Sequence, residues 1–185
     1  MTGQKFIVGL GGALRAGSST EAALDRVLYY ARERGAKTAL FSGEKLNLPL
    51  YAPGNTSPAP AVAELVAALC CADGIVLGSP SYHGGISGTV KNAIDYAEEM
   101  PKDPAPYFTN KPVGCVTTGM GWQGCNATLH SLRSIVHALR GWPTPLGIAI
   151  NTATPAFDRD GKCASPDFDA SFAIMADELL SFGAR

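Results

Sequence analysis

Residues 9–20 read GLGGALRAGSST. Gly11, Gly12, Ala13 and Gly17 let the backbone turn tightly and its amides converge. Ser18, Ser19 and Thr20 then supply hydroxyls and an N-cap for a following helix. A helix N-terminus with free N–H groups attracts phosphate, and Arg15 adds a cation that grips it in two places. The bland alternative is a tight turn with a capped helix and a surface arginine. The Gly12-to-Ser19 spacing is that of a phosphate-binding P-loop, but Ser18 stands where such a loop has lysine. An NTPase also needs an aspartate at the end of an apolar strand to organise Mg²⁺, and the run GIVLGSP (74–80) ends in Ser-Pro. A dinucleotide fingerprint fails too, because Gly9-Leu10-Gly11 is followed three residues later by Leu14. What remains is a phosphate monoester that is held and never transferred.

Two further stretches carry chemistry-bearing residues. In SPSYHGGISGTVKNAIDY (79–96), Pro80 ends a strand and Tyr82 offers a ring, while His83, Gly84 and Gly85 keep the backbone close to any ligand. Either a flat cofactor lies against this turn, or it is an ordinary strand-to-helix connection. In TTGMGWQG (117–124), glycines and threonines favour backbone contacts, and Met120 or Trp122 can close over a ring. Packing of Trp122 against a neighbouring subunit is the competing reading. His130 and His137 lie seven apart on one helix face, too far apart to share a metal. The five cysteines include no C-x-x-C pair and argue against a zinc site or a disulfide framework. Cys70 and Cys71 end an alanine-rich helix, a common place for small buried thiols.

The elements that position these stretches follow from hydrophobic periodicity. Short β-rich runs at 5–10 (KFIVGL), 37–41, 74–80, 111–117 and 145–150 alternate with helical patterns. The helices are expected from Ser19 to Gly35, Ala61 to Cys71, Val90 to Glu99, 123 to 140, and from the Ser165-Pro166-Asp167 cap to about Phe182. Residues 46–60, rich in Pro, Gly and Asn, read as a loop. The alternation predicts an α/β fold with a parallel sheet between two helix layers. Five strands in this length suggest the flavodoxin-like order 2-1-3-4-5, with a Rossmann-like order as the alternative. Ligands of such sheets bind beyond the carboxyl ends of the strands where the order reverses, between strands 1 and 3. The unusual loops follow strands 1 and 3.

A chain of 185 residues suits one domain, 1–185, whose core needs no disulfide or metal. A net charge of −1 points to neither nucleic acid nor an anionic membrane. The start MTGQKFIVGL lacks the features of a signal peptide, and no apolar run approaches the ~18 residues of a membrane span. The expectation is a cytoplasmic protein that handles small molecules.

The motifs also carry a resemblance. Gly11 to Thr20 resembles the G-G-S-x-R-x-G-S-x-[NT] phosphate loop of the NAD(P)H-dependent FMN reductase family. Ser79 to Tyr96 resembles that family's S-P-x-Y-[HN]-G-x-[IY]-[SP]-G-x-x-K-N-x-[IL]-D-[YW] segment without a gap. The resemblance implies that Arg15, Ser18, Ser19 and Thr20 hold the FMN phosphate. Pro80, Ser81, Tyr82 and His83 would border the isoalloxazine and ribityl chain, and Thr117, Thr118 and Gly119 would meet its other edge. Lys91, Asn92 and Asp95 match the K-N-x-x-D signature, with Asn92 and Asp95 read as structural. Ala13 departs from the pattern, standing where the family has serine, and removes one phosphate hydroxyl. The implied activity is hydride transfer from NADPH or NADH to FMN, with no side chain acting as acid or base. Electrons would then pass to a flavin-dependent monooxygenase or to a quinone, azo or metal acceptor. The family also implies a homodimer or homotetramer. Two alternatives stand: a flavodoxin-like electron carrier without its own NAD(P)H oxidation, and a non-flavin phosphosugar or nucleotide binder.

Overall fold

A computed structural model of the chain describes residues 3–15, 17–54, 59–101, 105–158 and 161–183. Residues 55–58, in the expected loop, lie outside it. In chain order the elements are β1 (Phe6–Gly11), α1 (Ser19–Glu33), β2 (Lys37–Phe41), α2 (Pro60–Cys71), β3 (Gly74–Tyr82), β4 (Gly85–Ile86), α3 (Gly88–Asp95), β5 (Pro112–Gly119), α4 (Trp122–Ala138), β6 (Trp142–Asn151) and α5 (Pro166–Ser181). The sheet runs β2-β1-β3-β5-β6, with β4 paired to β3 off this path. The pairings along this path are all parallel, and β3–β4 is antiparallel. This is the flavodoxin-like order read from the sequence, with a sixth, two-residue strand added.

Apolar side chains on both faces of the central strands make two cores, as a doubly covered parallel sheet requires. On one face Val8, Leu10, Ile75 and Leu77 pack with Leu65 and Leu69 of α2, Val90 and Ile94 of α3, and Leu132 and Val136 of α4. On the other, Ile7, Val76 and Val116 pack with Leu24, Val27 and Leu28 of α1 and Phe172, Met175 and Leu179 of α5. Cys115 is buried in the first core, but Cys71 is exposed and Cys70 only partly buried, so the thiols ending α2 are not the core pair that its composition implied. The expected helix over 90–99 divides, because α3 ends at Asp95 and a tighter 3₁₀ turn covers Tyr96–Glu99.

Two strands run through prolines further than the sequence suggests. Pro80 does not end β3, which runs on to Tyr82 with Pro80 opposite Thr118 of β5. The Gly78 carbonyl accepts from Gly12 N–H at 3.1 Å, so residue 80, two further on, turns its nitrogen toward the same side. There β1 has already turned away, and the donor that proline lacks has nothing to meet. On β6, at the sheet edge, Pro143 and Pro145 sit within the strand and the register with β5 slips between Val113 and Cys115. Arg133 of α4 donates to the Thr144 carbonyl at 2.8 Å and holds the irregular segment.

Candidate functional site

The order reverses between β1 and β3, and the carboxyl ends of those strands open into a cleft of about 640 Å³. Ligand pockets span roughly 300–1,000 Å³. One end of the cleft is the β1–α1 turn. Gly11 (φ +142°) and Gly12 (φ +110°) carry the chain off the sheet so close to β3 that a Cβ on Gly11 would sit 1.8 Å from the Gly78 carbonyl oxygen. Ser18 is the N-cap of α1: its hydroxyl accepts from Glu21 N–H at 3.2 Å, and its carbonyl from Ala22 N–H at 2.9 Å. The preceding amides, of Ser19 and Thr20, have no helical acceptor by geometry and head the cleft beside the exposed Arg15. Thr20 is buried, with its hydroxyl 2.6 Å from that of Thr118, so α1 and β5 are joined under the cleft floor.

The other end is built by the loops after β3 and β5. Tyr82 and Gly85 close a hairpin across His83 and Gly84, which take φ +52° and +78°. Positive φ at both central residues is the type I′ pattern, matched to strand twist. Ser79, fully buried, accepts Ser87 N–H at 2.9 Å, and Ser87 in turn caps α3 by accepting from Val90 N–H. Thr128 of α4 donates to the Ser81 hydroxyl at 2.8 Å. Gly119 and Gly124 face Ser81 so closely that a Cβ on either would come within 3.0 Å of it. Asn92 accepts Tyr51 N–H at 2.8 Å and donates to the Pro49 carbonyl at 2.9 Å. Lys91 pairs with Asp95 along α3 at 2.6 Å. The Asn92 contacts tie the loop before α2 to α3, whereas the Lys91–Asp95 pair lies within α3.

Of the residues singled out in the sequence, Arg15, Ser18, Ser19, Thr20, Pro80, Ser81, Tyr82, Thr118 and Gly119 converge on the cleft wall. Thr117 and His83 do not. Thr117 is buried on the opposite face of β5, where its hydroxyl donates to the Cys125 carbonyl at 2.9 Å and anchors the first turn of α4. His83 is at the exposed hairpin tip. Met120 lines the cleft, whereas Trp122 faces a second hollow beside it. Ser87, Thr89 and Thr152 also line the cleft and were not singled out. For Ser87 and Thr89 the signal was present in S-G-T, an N-cap and first turn placed directly after the hairpin.

The fit to a flavin mononucleotide rests on this donor set. A helix terminus with unpaired amides, two serines and an arginine suits a phosphate dianion. Apolar Pro80, Tyr82 and Met120 with the backbone of Gly119 suit a flat ring system with a polar edge. Among the described residues no helix is long and apolar enough to cross a membrane.

Fold and cleft together define a flavodoxin-like α/β protein with a ligand-sized cleft at the switch point. Residues 6–155 match the family model for NADPH-dependent FMN reductase. The chain belongs to that family, a class of flavin oxidoreductases with FMN as cofactor and NAD(P)H as co-substrate. An FMN-dependent NADPH-azoreductase from Staphylococcus aureus is 34% identical over 113 residues, 60% of this chain and 56% of that protein. The chain thus spans little more than half the length of that relative. Among solved structures, the flavoenzyme NAD(P)H:(acceptor) oxidoreductase of Paracoccus denitrificans superposes with a TM-score of 0.76 at 21% identity, covering 96% of this chain and 98% of that one. An NADH:FMN oxidoreductase in its apo form gives a TM-score of 0.72 at 19% identity, covering 98% and 92%. At such identities these two likenesses speak for the fold.

Proposed function

We propose that the protein is an NAD(P)H-dependent flavin reductase that oxidises NADPH or NADH with FMN held in the cleft and delivers the electrons to a small diffusible acceptor. The observation that supports this reading best is the pairing, within one cleft, of an arginine-flanked helix terminus at one end and a proline–tyrosine hairpin facing a glycine loop at the other. In this reading Arg15, Ser18, Ser19 and the amides heading α1 hold the phosphate. Thr20 and Thr118 fix the floor, Thr117 supports it from beneath, and Ser87, Thr89 and Thr152 meet the ribityl hydroxyls. Pro80, Ser81, Tyr82 and Gly119 border the ring, with the His83 amide at its rim. The flavin supplies the hydride chemistry, and the chain supplies binding, orientation and exclusion of water. No side chain in the cleft is assigned as acid or base.

The azoreductase relative favours an azo acceptor over a monooxygenase partner. We further assign the chain to the cytoplasm and to a single FMN-binding domain. The test is a visible spectrum of the purified protein, followed by NADH and NADPH consumption with and without added FMN and an azo dye. NADH or NADPH consumption that depends on FMN, retained or added, and bleaches the dye supports the reading. A protein that neither binds FMN nor consumes NAD(P)H in its presence rules it out, and FMN bound tightly without NAD(P)H oxidation would make the chain an electron carrier.

A further inference from the structure

Beside the cleft lies a second hollow, of about 190 Å³, at the carboxyl end of β6. Trp122 forms one side, Ile150 and Asn151 the base, Pro155 and Ala156 a second side, and Phe168 of α5 the far wall. No charged side chain lines it. Its aromatic wall is held in place, since Phe168 stacks edge-on to the buried Phe172, with ring centres 5.2 Å apart at 70°. Trp122 is the adjustable side, 59% exposed at the first position of α4. Asn151 supplies a polar edge. Its Oδ1 accepts from Ala153 N–H at 3.0 Å, and its amide NH₂ has no acceptor among the described residues.

The hollow shares its wall with the cleft. Gly119 stands opposite Asn151 in the β5–β6 register, and Thr152 N–H donates to the Gly119 carbonyl at 2.8 Å. From these adjoining segments, Met120 and Thr152 turn toward the cleft, and Trp122 and Asn151 toward the hollow. Neighbouring strand ends lie only about 5 Å apart, so a ring seated in the hollow lies directly beside whatever fills the cleft. The size agrees, because an apolar cavity of about 150 Å³ accommodates benzene. Flat aromatic faces and an uncharged lining favour a neutral ring, and the Asn151 amide favours one bearing a hydroxyl or carbonyl.

We propose that this hollow is an aryl-binding subsite, distinct from the cofactor cleft, that seats an uncharged one- or two-ring aromatic group of the electron acceptor. The link to an acceptor rests on the flavin-reductase reading, whereas the binding of an aromatic ring does not. The test is calorimetric titration of the full chain with 2-naphthol, with and without saturating FMN. The expected result is one saturable site per chain, with the same affinity in both conditions. Trp122→Ala should weaken 2-naphthol at least fivefold, and Ala164→Phe, at another residue lining the hollow, should fill it and weaken binding at least tenfold. FMN affinity should stay within twofold in both variants, since neither residue lines the cleft. The proposal is overturned if no saturable binding is found, if FMN displaces 2-naphthol, or if both variants bind it as tightly as the parent. Failure of the flavin reading shows itself elsewhere, in absent FMN binding or NAD(P)H consumption, and leaves this result standing.

Discussion

Ala13 lines the cleft next to Arg15 and presents a methyl where a hydroxyl could reach a phosphate oxygen. An added hydrogen bond contributes about 1 kcal/mol, so Ala13→Ser should tighten FMN roughly fivefold in an equilibrium titration. Arg15→Ala removes a charge-assisted contact worth about 1.5–3 kcal/mol and should weaken FMN roughly 10- to 100-fold, while riboflavin, which lacks the phosphate, should bind as before. Loss of riboflavin binding in that variant would place Arg15 at the ring and not at the phosphate. A harsher change is Gly11→Ala, whose Cβ would collide with backbone on β3. The expected outcome is loss of FMN binding together with a fall in melting temperature, both measurable in one thermal-shift series. At this scale the sequence reading put Arg15 and Ser18 at the head of α1, and both line the cleft there. It misled at Thr117 and Thr118, which look equivalent on paper. Successive strand residues point to opposite faces, so only Thr118 can reach the cleft. Thr152 was illegible for a different reason: it enters the site through the β5–β6 pairing, a contact between distant parts of the chain.

The helix with the least support from the family match is α5, which begins after residue 155. It is fastened to α1 by charge as well as by packing. Arg26 donates to both carboxylate oxygens of Asp169, at 2.5 and 2.6 Å, and Tyr30 donates to the same carboxylate at 2.6 Å. Two turns further along, Arg34 makes a second bidentate pair with Asp177. Arg26 and Asp169 are about one-fifth exposed, so the pair is only partly screened. Hydrogen bonding to Arg26, and then to Tyr30, holds the Asp169 carboxyl below the usual carboxylate range. A carboxyl depressed in the folded state contributes stability above its unfolded pKa, near 3.9, and loses it as pH falls through the folded value. Asp169→Asn should therefore cost about 1.5–3 kcal/mol at pH 7, or roughly 3–10 °C in Tm. The gap between variant and parent should narrow below about pH 4. A gap of equal size at pH 3 and pH 7 would show that the pair does not titrate as argued. The sequence announced α5 through its proline and early acids, but not this clasp, because the partners are 143 residues apart. Pro80 of β3, expected to end the strand, was misread for a related reason. Whether a missing N–H matters depends on what lies beside that strand, which local sequence does not state.

At the scale of the molecule, the outer surfaces of α3 and α4 are where a second copy would fit. A groove of about 200 Å³ runs between them, lined by Ile94, Ala97, Ile135, Ala138 and Leu139, with Lys91, Asp95 and Glu98 at its edge. Next to it α4 presents exposed Ala127, His130 and His137. An apolar centre rimmed by charge suits a two-fold interface, where each residue meets its own symmetry mate or a near neighbour. Pairing through this groove would also bear on the cofactor. The first turn of α3 brings Thr89 to the cleft, while Ile94 near its other end lines the groove. The prediction is a homodimer whose assembly and FMN affinity are linked. Ala138→Arg puts two cations into the apolar centre of such a pair. Ala138 is exposed in the single chain, so the fold should survive, with an unchanged far-ultraviolet circular dichroism spectrum. Sedimentation velocity should then show the parent as a dimer at micromolar concentration and the variant as a monomer. FMN should bind the variant more weakly, by a factor that does not change on dilution, whereas the parent should lose affinity as dilution separates its subunits. A parent that sediments as a monomer, or a variant that remains a dimer, would remove α3 and α4 from the interface. A monomeric variant with undiminished FMN affinity would leave the interface intact but sever its link to the cleft.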